Sequence, residues 1–424
     1  MSKSKWIYKN LKNPEFNLLA EKFGVHPAII KILADRGVQG EDAVREYLEA
    51  DIATVSNGSE LTDMQRGVNI VYDAVQAGKY IRIMGDYDVD GVSSTYILYK
   101  GLTGLGAKCD KFIPHRITDG YGLHEPAIRD AYDAGVQVIL TCDNGIAAAN
   151  EIKLAKELGI TVVVTDHHEI PYEVRNLSPT DDSANAEEDG DGEVPYETPT
   201  EPGDNEGARH YIIPDADAVI DPKRPEDDGV FKEICGAVVA WKFMWCLYRK
   251  FGKEDEFNNS DFLEIASLGT VCDVMELQHD NRAIVKEGLK KMQNTSNIGL
   301  QALLEVLGLR DKTLTSYDYG FKIGPCINAE GRLDTANEAF DLLVETDYQK
   351  ALEKAAQMRD LNVERQELTK QGMEEAFKII DAEMQNDKVL VVYLPDVHES
   401  IAGIIAGKVR EKYCKKYSRS SNES

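Results

Sequence analysis

No two of the seven cysteines stand in a C-x-x-C spacing, and their odd number leaves one without a mate. That excludes a zinc site built on paired cysteines and argues against a disulfide framework, so all seven are read as reduced and mainly structural. No run approaches the roughly 18 apolar residues of a membrane span. The opening MSKSKWIYKNLKNPEF has no apolar signal core, so the expected address is the cytoplasm with no membrane association. Positive charge is scarce too, with 48 Lys and Arg against 74 Asp and Glu and a net charge of −26. A nucleic-acid binder is expected to carry a basic footprint, which lowers that expectation. Thr180–Ala208, however, holds eleven acidic residues and no basic one, with Pro and Gly throughout, and reads as an insertion without a core of its own. Local basic surface remains around His115 and Arg116, and global charge does not exclude a phosphate substrate.

What is present is enough apolar content, 42% of 424 residues, for a sizeable core in two to three domains. From Met64 onward helix and strand patterns alternate. MQRGVNIVYDAVQAG, VSSTYILYKGLTGLG, EPAIRDAYDAG and IAAANEIKLAKELG have helical spacing, while YIRIM is a short apolar strand and VQVILTC and ITVVVTD are short β-branched runs. The fold class expected is α/β, a doubly wound parallel sheet with covering helices. After the insertion, YIIPDADAVIDPKRP is extended, and ICGAVVAWKFMWCLYRKFG and FLEIASLGTVCDVM resume helical periodicity. The expected division is an N-terminal helical segment over 1–64, a catalytic domain over 65–346 with the acidic insertion at about 172–210, and a connector helix over 347–387. A strand, KVLVVYL (Lys388–Leu394), and a helix, ESIAGIIAGKVREKY, then open a second, smaller α/β domain over 388–424.

The chemistry concentrates at three strand ends. YIRIM runs into Asp86, Asp88 and Asp90, VQVILTC into Asp143, and ITVVVT into Asp166, His167 and His168. Open parallel sheets bind ligands beyond the carboxyl ends of their strands, so these groups are expected to converge on one rim. Asp273 lies in an otherwise apolar helical stretch, where an unpaired charge is costly to bury. Taken alone, Asp-x-Asp-x-Asp-Gly fits a turn or calcium-like loop, Asp-His-His fits a helix cap, and Asp273 fits an N-cap or buried salt bridge. Their conjunction favours a cation site. Mixed Asp and His ligands favour Mn²⁺, or less sharply Mg²⁺, over a calcium cage. Two such ions roughly 3.5–4 Å apart can orient water and stabilise the leaving oxygen of a phosphodiester. In that arrangement Asp143 is the candidate bridge, Asp88 and Asp90 each reach a different ion, and Asp86 is a further ligand or an outer partner.

The ordered set GDYDVDG, TCDNG, TDHH and GTVCDVMEL resembles the DHH phosphoesterase superfamily. PHRITDGYGLH, DPKRPEDDGVFKEICGAVVAWKF, GPCINAEGRLDTA and LNVERQEL resemble its RecJ-type group of single-strand-specific exonucleases, so that the likeness covers about Arg66 to Tyr413. The resemblance implies a 5′ to 3′ exonuclease that takes single-stranded DNA through a narrow cleft containing two divalent cations and releases mononucleotides. By motif position it implies Asp86, Asp88, Asp90, Asp143, His167 and Asp273 as metal-site residues. His168 is either a ligand or the group that meets the scissile phosphate. Arg116, Asn328 and Arg332 are candidates for substrate contact, each arginine with a structural salt bridge as its alternative. Tyr121 is a candidate for base stacking or for a buried core position. VHESIAGIIAGKVREKY resembles the opening of the family's DHHA1-type domain, which brings in His398 and Arg410 as binding candidates. The resemblance also implies a helicase and a single-strand-binding protein as partners, in repair and recombination.

The sequence departs from the family pattern after that segment, where CKKYSRSSNES replaces the strand expected next. A frameshifted gene product is the expected explanation, ahead of a shortened or divergent form. The expected consequence is metal binding with weak or absent processive activity. The competing functions are a phosphodiesterase acting on short oligonucleotides or cyclic dinucleotides, and a non-catalytic repair or replication scaffold. Since every candidate ligand is present, the scaffold is the less favoured.

Overall fold

Short β-branched runs alternating with amphipathic helices build a parallel sheet whose two faces are both covered. In the computed structural model, which describes residues 15–116, 119–120, 122–174, 209–333, 336–385 and 387–417, the strands are β1 (Tyr80–Met84), β2 (Lys108–Phe112), β3 (Val138–Thr141), β4 (Thr161–Thr165), β5 (Tyr172–Val174), β6 (Arg209–Tyr211) and β7 (Ala218–Ile220). The main sheet runs β2-β1-β3-β4-β7, parallel throughout. β5 and β6 form a separate antiparallel pair. The segment between them contains the acidic insertion, Thr180–Ala208, which lies outside the described residues.

The helices are α1 (Glu15–Phe23), α2 (Pro27–Asp35), α3 (Glu41–Glu49), α4 (Met64–Gln76), α5 (Val89–Gly104), α6 (Glu125–Asp133), α7 (Ala149–Glu157), α8 (Gly236–Lys250), α9 (Glu254–Asn258), α10 (Phe262–Cys272), α11 (His279–Met292), α12 (Ile298–Val306), the single turn α13 (Ser316–Asp318), α14 (Gly324–Leu333), α15 (Ala336–Leu343), α16 (Tyr348–Glu383) and α17 (Glu399–Tyr417). Successive strand residues point to opposite faces. Ile81, Ile83, Val138, Leu140 and Val163 therefore join the core formed with α4, α5 and α8. Met84, Ile139, Val162 and Val164 join Ile128 of α6 and Ile152 of α7 on the other face. Burying each Val or Ile side chain contributes about 1.5–3 kcal/mol, so a one-residue slip of register would be heavily penalised. This is the doubly wound arrangement that the sequence predicts. The edge strand β2 escapes that reading because its KCDKF sequence is polar. Its Asp110 instead accepts from Arg82, a buried arginine on β1, at 2.7 Å.

The connector helix forms as expected. α16 is 36 residues long, about 54 Å at 1.5 Å per residue, and Asp347 caps it by accepting from the Gln349 and Lys350 amides. Its first half packs Ala351, Ala355 and Met358 into the main core, and further along Ala376 packs with Ile401 and Ile405 of α17. The strand expected over Lys388–Leu394 is not formed. Its alternation survives, since Val389, Val391 and Tyr393 are exposed while Leu390, Val392 and Leu394 line a cavity against α16 and α17. Among the described residues, however, no strand lies beside it to complete a ladder, and a period-two pattern without a hydrogen-bonded neighbour is not a strand.

The core holds one ionisable group with a readable pH signature. Glu264 on α10 is buried and accepts from the Thr295 hydroxyl at 2.7 Å. Burial, with Asp261 nearby, raises its pKa to about 7 against the opposing hydrogen bond from Thr295. The folded chain thus keeps a proton that the unfolded chain releases above its ordinary pKa of 4.5, so this group's contribution to stability falls as pH rises between those values. Glu264→Gln is expected to raise unfolding free energy at pH 8 by up to about 3 kcal/mol and to change it little at pH 4. Urea titrations at both pH values measure this, and a gain of equal size at both would refute it.

Candidate metal centre

Because β1, β3 and β4 are neighbours in one parallel sheet, their carboxyl ends deliver three loops side by side. Backbone hydrogen bonds extend past the strands to hold those loops in register, from the Cys142 amide to the Met84 carbonyl at 3.0 Å and from the Asp143 amide to the Thr165 carbonyl at 3.1 Å. Asp88 caps α5, its Oδ1 accepting from the amides of Asp90 at 2.9 Å and Gly91 at 3.0 Å. Asp90 points the other way, with its two oxygens accepting from the Gly236 amide at 2.6 Å and the Ala237 amide at 2.9 Å. The positive end of α8 therefore holds this buried carboxylate in place. A Cβ on Gly91 would lie 2.5 Å from the Asp86 carbonyl, and one on Gly236 would lie 2.7 Å from Asp143 Cβ. These glycines are required by close approach. Gly91 lies inside α5, in its first turn.

His167 is the hub. Its Nε2 lies 3.0 Å from Asp143 Oδ1, 3.6 Å from Asp90 Oδ2 and 3.7 Å from Asp273 Oδ2. Asp273 ends α10, so the fourth candidate arrives from a helix far along the chain. Among the described residues, potential ligand atoms fall into three sets, each within 4.8 Å: Asp86, Asp88 and Asp143; Asp90, His167 and Asp273; and Asp143, His167 and His168. Asp143 belongs to two sets and touches His167 of the remaining one. Its backbone adopts φ 60°, an uncommon conformation for a residue other than glycine.

The electrostatics fit a cation site. Burial, then the nearby Asp88, pushes the Asp86 carboxyl up to about 7. Burial, then Asp90 and Asp88, does the same to Asp273, also to about 7, and raises Asp143 well above its ordinary value. Burial lowers the pKa of His167, which favours a neutral ring with a lone pair to donate. Among the described residues, Asp86 Oδ1 and His167 Nδ1 are buried without a hydrogen-bond partner, a costly state unless something else meets them. Bound divalent cations reverse this logic by favouring the ionised carboxylates. The donor set of oxygens and imidazole nitrogens therefore fits Mn²⁺ or Mg²⁺.

His168 is set differently. Its Nδ1 lies 2.7 Å from Asp166 Oδ1, and although burial opposes its charge, that hydrogen bond and the Asp166 charge prevail, so its pKa rises to about 8. Asp166 also accepts from the amides of Ile146 at 2.9 Å, His167 at 2.7 Å and His168 at 3.3 Å. Burial alone would raise the Asp166 pKa, but the His168 ring's hydrogen bond and charge, then the Ile146 amide, lower it. Asp166 stands in the strand-end run quoted above, but sequence reasoning gave it no role. Asp221 was missed altogether. It follows β7, is fully buried with Oδ2 unpartnered, and is pushed up to about 8 by burial and then by Asp166. Its place at a fourth adjacent strand end was the available signal.

Of the substrate candidates, Arg116 and Asn328 are brought to the centre. The Arg116 guanidinium lies 4.8 Å over the ring of Tyr87, between Asp86 and Asp88 in the chain. Asn328 Oδ1 accepts from the Val89 amide at 3.2 Å. Arg332 lies on α14, with its side chain outside the described residues, as is Tyr121 altogether. His398 makes a local contact, its Nδ1 lying 2.7 Å from the Ser400 hydroxyl at the start of α17. Arg410 lines the apolar cavity between α16 and α17.

Comparison with known proteins agrees with this geometry. Residues 80–190 match the DHH family, N-terminal domain. The single-stranded-DNA-specific exonuclease RecJ of Bacillus subtilis is 30% identical over 412 residues, which covers 97% of this chain and 47% of that protein. A crystal structure of exonuclease RecJ bound to manganese superposes with a TM-score of 0.67 at 29% identity, covering 83% of this chain and 78% of that one. RecJ of Thermus thermophilus in complex with Mn²⁺ gives a TM-score of 0.72 at 27% identity, covering 94% and 51%. The chain thus spans about half the length of the Bacillus relative it matches.

Proposed function

Because this chain is a RecJ-type member of the DHH family, we propose that it is a divalent-cation-dependent exonuclease that hydrolyses phosphodiester bonds of single-stranded DNA from the 5′ end. The observation that carries this is the contact of Asp143 with His167, which joins two three-ligand sets across 3.0 Å. Asp86, Asp88 and Asp143 would hold one cation, and Asp90, His167 and Asp273 the other, with Asp143 as the shared edge. Bound cations supply Lewis-acid stabilisation of the phosphate oxygens and activation of water.

The remaining work falls to side chains of the protein. His168 is oriented by the Asp166 bond to its Nδ1, and in its imidazolium form would donate from Nε2 to a phosphate oxygen of the substrate. Arg116 would offer its planar fork to a neighbouring phosphate. Asn328 would steady the Val89 amide behind Asp88 and so the loop that carries three of the ligands. A helicase and a single-strand-binding protein would supply the strand, in repair and recombination in the cytoplasm.

Incubation with Mn²⁺ and 5′-labelled oligonucleotides tests the proposal. Mononucleotides are expected from a long single strand and none from blunt duplex. Cleavage of a dinucleotide with the long strand spared would replace this reading with the short-oligonucleotide phosphodiesterase. Mn²⁺ binding with no hydrolysis of either substrate would leave the scaffold.

A further inference from the structure

Tyr317 and Phe321 are 60% and 68% exposed, and they stack on each other with ring centroids 4.7 Å apart and planes 20° from parallel. Aromatic rings of this size normally bury most of their surface, so an exposed stacked pair marks a binding face more often than a structural one. They stand on α13 and on the π-helical turn Tyr319–Ile323 that follows it, a backbone type frequent at functional sites.

The pair borders a cavity of about 450 Å³ whose wall also includes Cys272, Val274 and Asn328. Cys272 and Val274 flank Asp273 in the chain, and Asn328 holds the Val89 amide next to Asp88. The cavity is therefore bordered by the end of α10, next to Asp273, and by α14, whose Asn328 bonds the start of α5 next to Asp88. Val274 adopts φ 59° and is 86% exposed. A β-branched residue in that conformation is strained, and such strain persists where the surrounding structure imposes it. Lys322 lies 5.9 Å over the Tyr317 ring but its ammonium is paired with Asp318 at 2.6 Å, so the edge of the platform carries an ion pair rather than a net positive charge.

We propose that Tyr317 and Phe321 form a stacking platform for a nucleobase of the strand held at the metal centre, a nucleotide or so from the phosphate that is cut. This rests on the exonuclease reading above. Every base has a π-face, so the platform grips the strand without reading its sequence, and it supplies attraction that does not depend on positive charge.

The test uses the full chain and a 5′-phosphorylated oligothymidylate, together with a set of the same oligonucleotides carrying one abasic residue at successive positions from the 5′ end. Affinity is read by fluorescence anisotropy with Ca²⁺ in place of Mn²⁺, and initial rates are read with Mn²⁺. The native protein is expected to show an abasic penalty at one position near the 5′ end. Y317A/F321A is expected to bind the intact strand about 10- to 100-fold more weakly, with no further penalty at that position and an unchanged melting curve. The ring-preserving variant Y317F/F321Y should restore native binding. A native protein with no position-specific penalty, or a double-alanine variant that keeps it, overturns the platform, leaving the rings to a protein partner. A native protein that neither binds nor cuts single strands sinks the exonuclease reading as well, whereas native cleavage with an unaffected variant removes the platform alone.

Discussion

Asp143→Asn is expected to lower hydrolysis of single-stranded DNA on the order of 10³-fold or more while leaving the metal-free protein as stable as its parent. Asp143 is buried, lies 3.0 Å from His167, and shares a set with Asp86 and Asp88. In the proposed arrangement, removing its charge would take the shared edge from both cation positions. Without metal, the same substitution relieves the cost of charged carboxylates in this site, whose pKa values are raised first by burial and then by repulsion from their neighbours. Asn also tolerates φ 60° better than most residues, so the backbone need not move. Asp143→Ala would remove the charge equally but add about 1–2 kcal/mol of backbone strain. Initial rates with Mn²⁺, alongside melting in EDTA, separate the two effects. Turnover within tenfold of the parent would show that Asp143 is not shared between cations.

A second large effect is expected at Asp166, through stability. Its carboxylate receives hydrogen bonds from the amides of Ile146, His167 and His168 and engages the His168 ring. Asp166→Ala leaves these donors unsatisfied in the interior, a loss of about 3–5 kcal/mol, which is a large share of the stability of an ordinary domain. Asp166→Asn keeps one acceptor oxygen and a similar volume, so it is expected to fold. Its kcat should fall about 10- to 100-fold, as for other residues that orient a site through a neighbour. Mn²⁺ affinity, measured by calorimetry, should change little, since Asp166 lies outside every ligand set. Equal losses in kcat and in Mn²⁺ affinity would instead make Asp166 a ligand in its own right.

Much of this was legible in the chain itself, for identifiable physical reasons. β1, β3 and β4 are short β-branched runs because both of their faces are buried, and that pattern announces a parallel sheet. Helices α6 and α7 each end two residues before a glycine, Gly135 and Gly159, which take positive φ of 78° and 81° as their place beyond a helix end requires. Strand ends in such a sheet share one rim, so Asp86, Asp88, Asp90, Asp143 and His167 were identifiable as neighbours before any coordinates. The four motifs carried the family resemblance, and the comparisons support it.

Other features were settled only by tertiary packing. Asp88 and Asp90 look alike in sequence, yet one caps its own helix while the other is drawn to the start of α8, and this divides them between different ligand sets. That division depends on a contact across 146 residues of chain, which no local pattern encodes. β2 was hidden because an edge strand can be polar when a buried arginine is its partner. Lys388–Leu394 read as a strand because alternation reports which side chains are buried, whereas a strand also needs a neighbour to bond. Asp166 and Asp221 matter through what they touch rather than through a motif of their own. The sequence alone thus determined the sheet, its rim and the residue types gathered there. Which oxygen faces which partner was decided by the fold, because carboxylate orientation depends on hydrogen-bond donors from distant segments.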